Sequence, residues 1–159
     1  MSIDSIKENL SELFLSKKLL FVGIGNPLRG DDGFGPELIN RIEGKIKADC
    51  INAEMTPENY IGKIVKAGAD VVILIDAVSM DEAPATIKLI SEDQIPEYGF
   101  STHNMSPKLM IENIKSQIST FIVMIGIQPQ KLEFGDSISE SVEKELSTLE
   151  SFLLEKLKK

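Results

Sequence analysis

The sequence predicts a three-layer α/β/α sandwich on a mostly parallel sheet with an antiparallel edge strand, and three observations carry that prediction. Two runs, "LLFVGI" at 19–24 and "DVVILIDAV" at 70–78, are apolar without alternation, as strands covered on both faces must be. Amphipathic helical segments lie between the strand candidates, which is the order that builds parallel βαβ units. A shorter segment, "ATIKLI" at 85–90, alternates in character, as an edge strand does.

Taken in order, Ile3, Ile6, Leu10, Leu13 and Phe14 recur at three- and four-residue spacing and predict a helix over 3–16. The first strand follows at 19–24. A helix over 34–46 has Pro36 in its first turn and Leu38, Ile39, Ile42 and Ile46 on one face. A second strand is expected at 48–55 and a second helix at 58–67, with Thr56 as its cap and Pro57 at its first position. Beyond the 70–78 and 85–90 strands, "SEDQIPEYGFSTHNMSP" reads as a long polar connection, a type of segment that often carries function. A helix at 107–116, a strand at 120–127 and a closing helix at 139–157 complete a single domain spanning 1–159, with 1–17 as an N-terminal helical appendage.

Composition narrows the function. A net charge of −8 and a pI near 4.7 argue against nucleic acid and anionic membrane as partners, because neither is bound without clustered Lys and Arg. The N-terminal 18 residues mix acidic and basic groups and lack the apolar core of a secretory signal, so a cytoplasmic protein is expected. The uncharged apolar run "STFIVMIGIQPQ" is too short for a bilayer. The single cysteine, Cys50, reads as a buried structural thiol.

In open parallel sheets, ligands bind beyond the carboxyl ends of the strands. Polar residues at such ends are Asp31 and Asp32 after the first strand, and Asp76 near the end of the 70–78 strand. His103, the only histidine, lies in the long connection before a helix. The loop "GIGNPLRG" lacks the third glycine of a dinucleotide fingerprint, and two carboxylates at a helix entrance would repel pyrophosphate. Capping would account for one aspartate. Asp76 interrupts an apolar run and must be paired, hydrogen-bonded or metal-bound. Were Asp32 and Asp76 about 4 Å apart, they would repel by roughly 4 kcal/mol at an effective dielectric of 20, and would need a shared proton or a cation. With a neutral imidazole from His103 they form a set able to contact a divalent transition metal while leaving positions open.

The segments "GIGNPLRGDDGFGPEL", "NAEMTPEN", "LIDAV", "STHNMSP", "IGIQP" and "LEFGDSISESV", in that order, resemble those of the hydrogenase maturation proteases. These endopeptidases trim the large subunit of nickel-iron hydrogenases, and "STHNMSP" and "IGIQP" are similar to the subgroup serving formate-hydrogenlyase-type complexes. The resemblance implies an α/β/α fold, a cytoplasmic aspartyl-type peptidase, and removal of a C-terminal extension from the large-subunit precursor after nickel insertion. It places the catalytic and metal-recognising residues at Asp32, Asp76 and His103. The nickel would be borne by the substrate, with no resident cofactor, and the working form would be a monomer. Asp31, Asn26 and Asn104 would be supporting residues, or simply turn formers.

"NAEMTPEN" departs from the acidic residue and paired glycines that many members carry there, which leaves the roles of Asn52 and Glu54 open. Cleavage could use one carboxylate as general base for water, or a metal-polarised water or carbonyl, with the first ranked slightly ahead. Two other readings compete. One is a non-catalytic chaperone that senses metal loading. The other is a hydrolase like peptidyl-tRNA hydrolase, suggested by "GIGNP" and "THN" and opposed by the acidity.

Overall fold

The computed structural model describes residues 2–15, 17–98 and 105–159. Five strands form one sheet in the order β2-β1-β3-β5-β4, comprising β1 (Leu19–Ile24), β2 (Asp49–Glu54), β3 (Val71–Ala77), β4 (Ile87–Ser91) and β5 (Phe121–Ile127). The first four in that order run parallel, and β4 pairs antiparallel with β5 at the edge, as the alternating 85–90 segment predicts. Every residue of β1 and β3 is buried, which is why neither alternates.

Successive strand residues point to opposite faces. Leu19 and Phe21 of β1 and Val71, Ile73 and Ile75 of β3 pack against α1 (Lys7–Phe14), α2 (Phe34–Ile42) and, near the C-terminus, a long helix at Glu140–Lys156. Leu20, Val22, Val72 and Leu74 pack on the other face against α3 (Ile61–Ala67), α4 (Ile95–Tyr98) and α5 (Pro107–Gln117). The 140–156 helix is α6, and the three layers are those expected. Ile3, Ile6 and Leu10 of the N-terminal segment lie inside the first core, and Phe14 stacks edge-on against Phe21, with ring centroids 6.2 Å apart.

Local departures from the sequence reading have local causes. The helix expected over 34–46 ends at Ile42, because Gly44 takes a left-handed φ of 79° and Ile46 turns away to form an isolated bridge with Lys158. The second helix begins as a 3₁₀ turn at Pro57–Tyr60, and Thr56 makes no side-chain cap, its carbonyl instead accepting the Asn59 N–H. The connection after β4 contains the short α4. Ser106 caps α5 by accepting the Leu109 N–H at 3.1 Å. Cys50 is half-buried rather than buried, because β2 is an edge strand covered on one side only. Burial, then the Glu43 and Asp49 carboxylates, push its thiol up to about 12, so it stays protonated at neutral pH.

Helix α2 lies unusually close to the sheet. A Cβ at Gly35 would sit 2.3 Å from the Ile75 carbonyl oxygen and 2.6 Å from that of Ile24, both backbone atoms of adjacent strands. Arg41, at the far end of α2, joins it to α6, donating to Glu37 at 2.9 Å, Glu143 at 2.7 Å and Glu150 at 3.3 Å. Its hydrogen bonds to Glu143 hold that carboxyl below its ordinary value of 4.5.

Two consequences can be measured. Gly35→Ala forces backbone apart and should lower the unfolding free energy by about 1–3 kcal/mol, read as a lower urea midpoint at unchanged slope. Because the folded pKa of Glu143 is depressed, its contribution is present above the unfolded value and is lost as pH falls through the folded one. Glu143→Gln should therefore cost about 0.5–1 kcal/mol at pH 7, a modest figure because the pair is partly exposed, and the difference from wild type should vanish in acid. An equal cost at pH 7 and pH 3 would contradict this account.

Candidate active site

Chain order reverses at β1: β2 lies on one side of it and β3 on the other. Open α/β sheets bind ligands at such a switch point, outside the carboxyl ends of the strands. The loop leaving β1 carries Asn26 to Asp32, and β3 ends with Asp76 and Ala77. Asp31, Asp32 and Asp76 are all buried, at 0%, 1% and 0% exposure.

The loop after β1 is built by short-range bonds. Asn26 Oδ1 accepts the Leu28 N–H at 2.9 Å, an Asx turn, and the Asn26 carbonyl accepts the Arg29 N–H. A 3₁₀ turn at Gly30–Gly33 then brings Asp32 back over the end of β1. Gly25 makes this possible. Its φ is 138°, and a Cβ there would lie 1.9 Å from the Asp32 carbonyl oxygen. One carboxylate oxygen of Asp32, Oδ2, accepts the Asn26 N–H at 2.8 Å. The other, Oδ1, is buried and has no hydrogen-bond partner among the described residues.

Asp31 has a different task from its neighbour. Its carboxylate accepts the N–H groups of Gln130, Lys131 and Ser139 at 2.8, 2.9 and 2.7 Å, and the Ser139 hydroxyl at 2.8 Å. Its own N–H donates to the Lys131 carbonyl at 2.7 Å. Asp31 caps no helix of its own. It fastens the β5–α6 loop to the β1 loop, a hundred residues apart in sequence.

Asp76 sits opposite Gly126 of β5, and its place in the alternation puts it on the face of Val72 and Leu74, toward α3 and α5. The turn holding Asp32 packs against β3, so the two carboxylates stand at the same end of neighbouring strands. Gln128, from "IGIQP", accepts the Met80 N–H at 2.6 Å and so positions the loop that leaves Asp76. His103 and Asn104 lie outside the described residues. Among the described residues no group of three His, Cys, Asp or Glu side chains is placed to hold a metal. Asn52 reaches Asn40 at 3.4 Å, while Glu54, at φ 50°, contributes its carbonyl to the Gly25 N–H rather than its exposed carboxylate.

A cleft of about 240 Å³ opens beside Asp32, walled by Arg29, Val78, Tyr98, Pro129 and Leu132. Sequence reading missed Arg29, Leu132 and Ser139. For Leu132 and Ser139 the signal was available: "QPQKLEFGDSIS" follows β5 at the same carboxyl edge of the sheet as the segments singled out, while Arg29 lies in the β1 loop beside Asp31 and Asp32. No helix among the described residues is long and apolar enough to cross a membrane.

Comparison with known proteins shows the family. The family model described as hydrogenase maturation protease matches residues 36–156. A putative hydrogenase maturation protease of Methanocaldococcus jannaschii is 30% identical, over 92% of each chain. The hydrogenase 3 maturation protease of Escherichia coli K12 is 30% identical over 79% of this chain and 82% of its own. Among solved structures, the NiFe hydrogenase maturation protease HycI from Thermococcus kodakarensis KOD1 superposes with a TM-score of 0.84 at 27% identity, covering 94% of this chain and 98% of that one. The endopeptidase HycI from Escherichia coli superposes at 0.76 with 28% identity, over 87% and 90%. Fold and sequence agree, and the chain belongs to the hydrogenase maturation proteases, a family of peptide-bond hydrolases.

Proposed function

We propose that this protein removes the C-terminal extension of a nickel-iron hydrogenase large-subunit precursor once nickel has been inserted. The family supports the precursor as substrate, and one observation supports the metal check: Asp32 Oδ1 is buried and without a hydrogen-bond partner among the described residues. A buried carboxylate oxygen left open is costly unless a cation or a donor completes it. A nickel ion carried by the precursor supplies that cation at the moment of docking. Asp76 at the adjacent strand end and His103 complete the set of contacts, and the metal remains the substrate's.

In this reading the precursor's nickel is held mainly by its own thiolates, and only a loaded precursor neutralises the acidic strand ends. A precursor without nickel leaves the open Asp32 oxygen without a cation to complete it, and that cost disfavours its docking. Hydrolysis then follows by attack of water on the scissile carbonyl. One of the two aspartates takes the water's proton as general base, and the departing amine takes up a proton as the C–N bond breaks.

The test follows the C-terminal mass of nickel-loaded and nickel-free precursor incubated with the protein. Loss of a short peptide from the loaded form alone is the expected result. Asp32→Asn removes the charge and should slow that cleavage by about 10²-fold or more, and His103→Ala should slow it too. Equal cleavage of nickel-free precursor would overturn the metal check. Stable binding of the loaded precursor with no cleavage would replace the protease reading with that of a metal-sensing chaperone.

A further inference from the structure

The chain has two arginines, and they are used differently. Arg41 is surrounded by Glu37, Glu143 and Glu150. Arg29 has no acidic partner among the described residues, although the chain carries 25 acidic side chains against 17 basic ones. It lines the cleft beside Asp32, and the Asp32 N–H donates to the Arg29 carbonyl at 3.1 Å. Its Nε donates to the Leu132 carbonyl at 3.1 Å, and its guanidinium carbon lies 5.8 Å from the centre of the Phe134 ring. These contacts orient the guanidinium by its Nε edge and its face. The terminal nitrogens, the fork that grips a carboxylate, are given no anion.

Three exposed apolar side chains lie on the two segments that carry Arg29 and its contacts. Leu28, Leu132 and Phe134 are 64%, 40% and 72% exposed. They are held together by the Gly135 N–H, which donates to the Leu28 carbonyl at 3.0 Å. Of the three, Leu132 also lines the cleft that holds Asp32. An oriented arginine that makes no ion pair among the described residues and has apolar side chains beside it, in an otherwise acidic protein, is complementary to an extended peptide that presents a carboxylate next to an apolar residue.

The geometry points to Arg29 as the specificity-determining residue of this site, pairing with an acidic side chain of the precursor near the bond that is cut, while Leu28, Leu132 and Phe134 seat the neighbouring apolar residue. This rests on the protease reading given above. Arg29 and Asp32 share one small cleft, and an extended chain advances about 3.3 Å per residue, so the acidic residue lies within about four residues of the cut bond. Arg29 is a positioning residue here and takes no part in proton transfer.

The experiment measures steady-state cleavage of nickel-loaded precursor by the wild type, Arg29→Met, Arg29→Lys and Phe134→Ala. It repeats the measurement on precursors in which each Asp or Glu within four residues of the cut bond is replaced by its amide. Loss of one charge-assisted pair should raise KM about tenfold in Arg29→Met while kcat falls no more than about twofold, with Arg29→Lys in between. One of the amide precursors should show the same rise with the wild type and no further rise with Arg29→Met. A thermal melt of each variant identifies any loss of folding, and a melted Arg29→Met leaves the Arg29→Lys and amide-precursor arms to decide. Wild-type KM in Arg29→Met, additive effects of the two changes, or a cut site without a nearby acidic residue would each overturn the assignment. Failure of the wild type itself to cleave would overturn the protease reading instead.

Discussion

The buried carboxylate of Asp31 is the interaction on which the rest of the site depends. A carboxyl group with no exposed surface is tolerated only when its lone pairs are filled, and here four donors from Gln130, Lys131 and Ser139 fill them. Those donors belong to the loop that leaves β5 and to the residue preceding α6. The requirement to satisfy one side chain thus draws together two loops that leave different strands. It also sets where Pro129 and Leu132 stand as walls of the cleft beside Asp32. Two adjacent aspartates consequently divide their labour: Asp31 is saturated by the protein, and Asp32 keeps one oxygen open among the described residues.

The second constraint is the approach of α2 to the sheet. With no side chain at Gly35, the helix rests directly on the backbone of Ile24 and Ile75, and the turn before it is brought down against the end of β3. Gly25 acts in the same sense, giving the Asp32 carbonyl room above β1. Close packing therefore joins core to site: the same contacts that exclude water between helix and strands hold Asp32 near the strand end that carries Asp76. Arg41 secures the opposite end of the same helix to α6 through Glu143 and Glu150, so α2 is tied at both ends.

Much of the fold was legible because strands buried on both faces have an unmistakable composition. Leu19–Ile24 was delimited to the residue, and Val71–Ala77 and Phe121–Ile127 to within one. Boundaries failed where tertiary context overrode a local signal. The 34–46 helix stopped early because Gly44 turned the chain left-handed and Ile46 was needed beside Lys158. Thr56, a good cap by type, was not used as one, because the chain entered α3 through a 3₁₀ turn. Cys50 looked like a core residue from its neighbours, and only its place on an edge strand left it half covered.

The sequence by itself determined the layered α/β architecture, the acidic character, the family and the strand ends at which Asp32 and Asp76 stand. Each of these follows from composition, periodicity or motif order, which are properties of short stretches of chain. Tertiary structure alone decided what each carboxylate does. Whether an aspartate is saturated or open depends on which backbone N–H groups arrive at its oxygens, and for Asp31 they arrive from about a hundred residues away. It likewise decided that Arg29 makes no ion pair among the described residues while Arg41 makes three. Partners so distant in sequence leave no periodic trace in it, so their meeting is settled only when the sheet and its helices have packed.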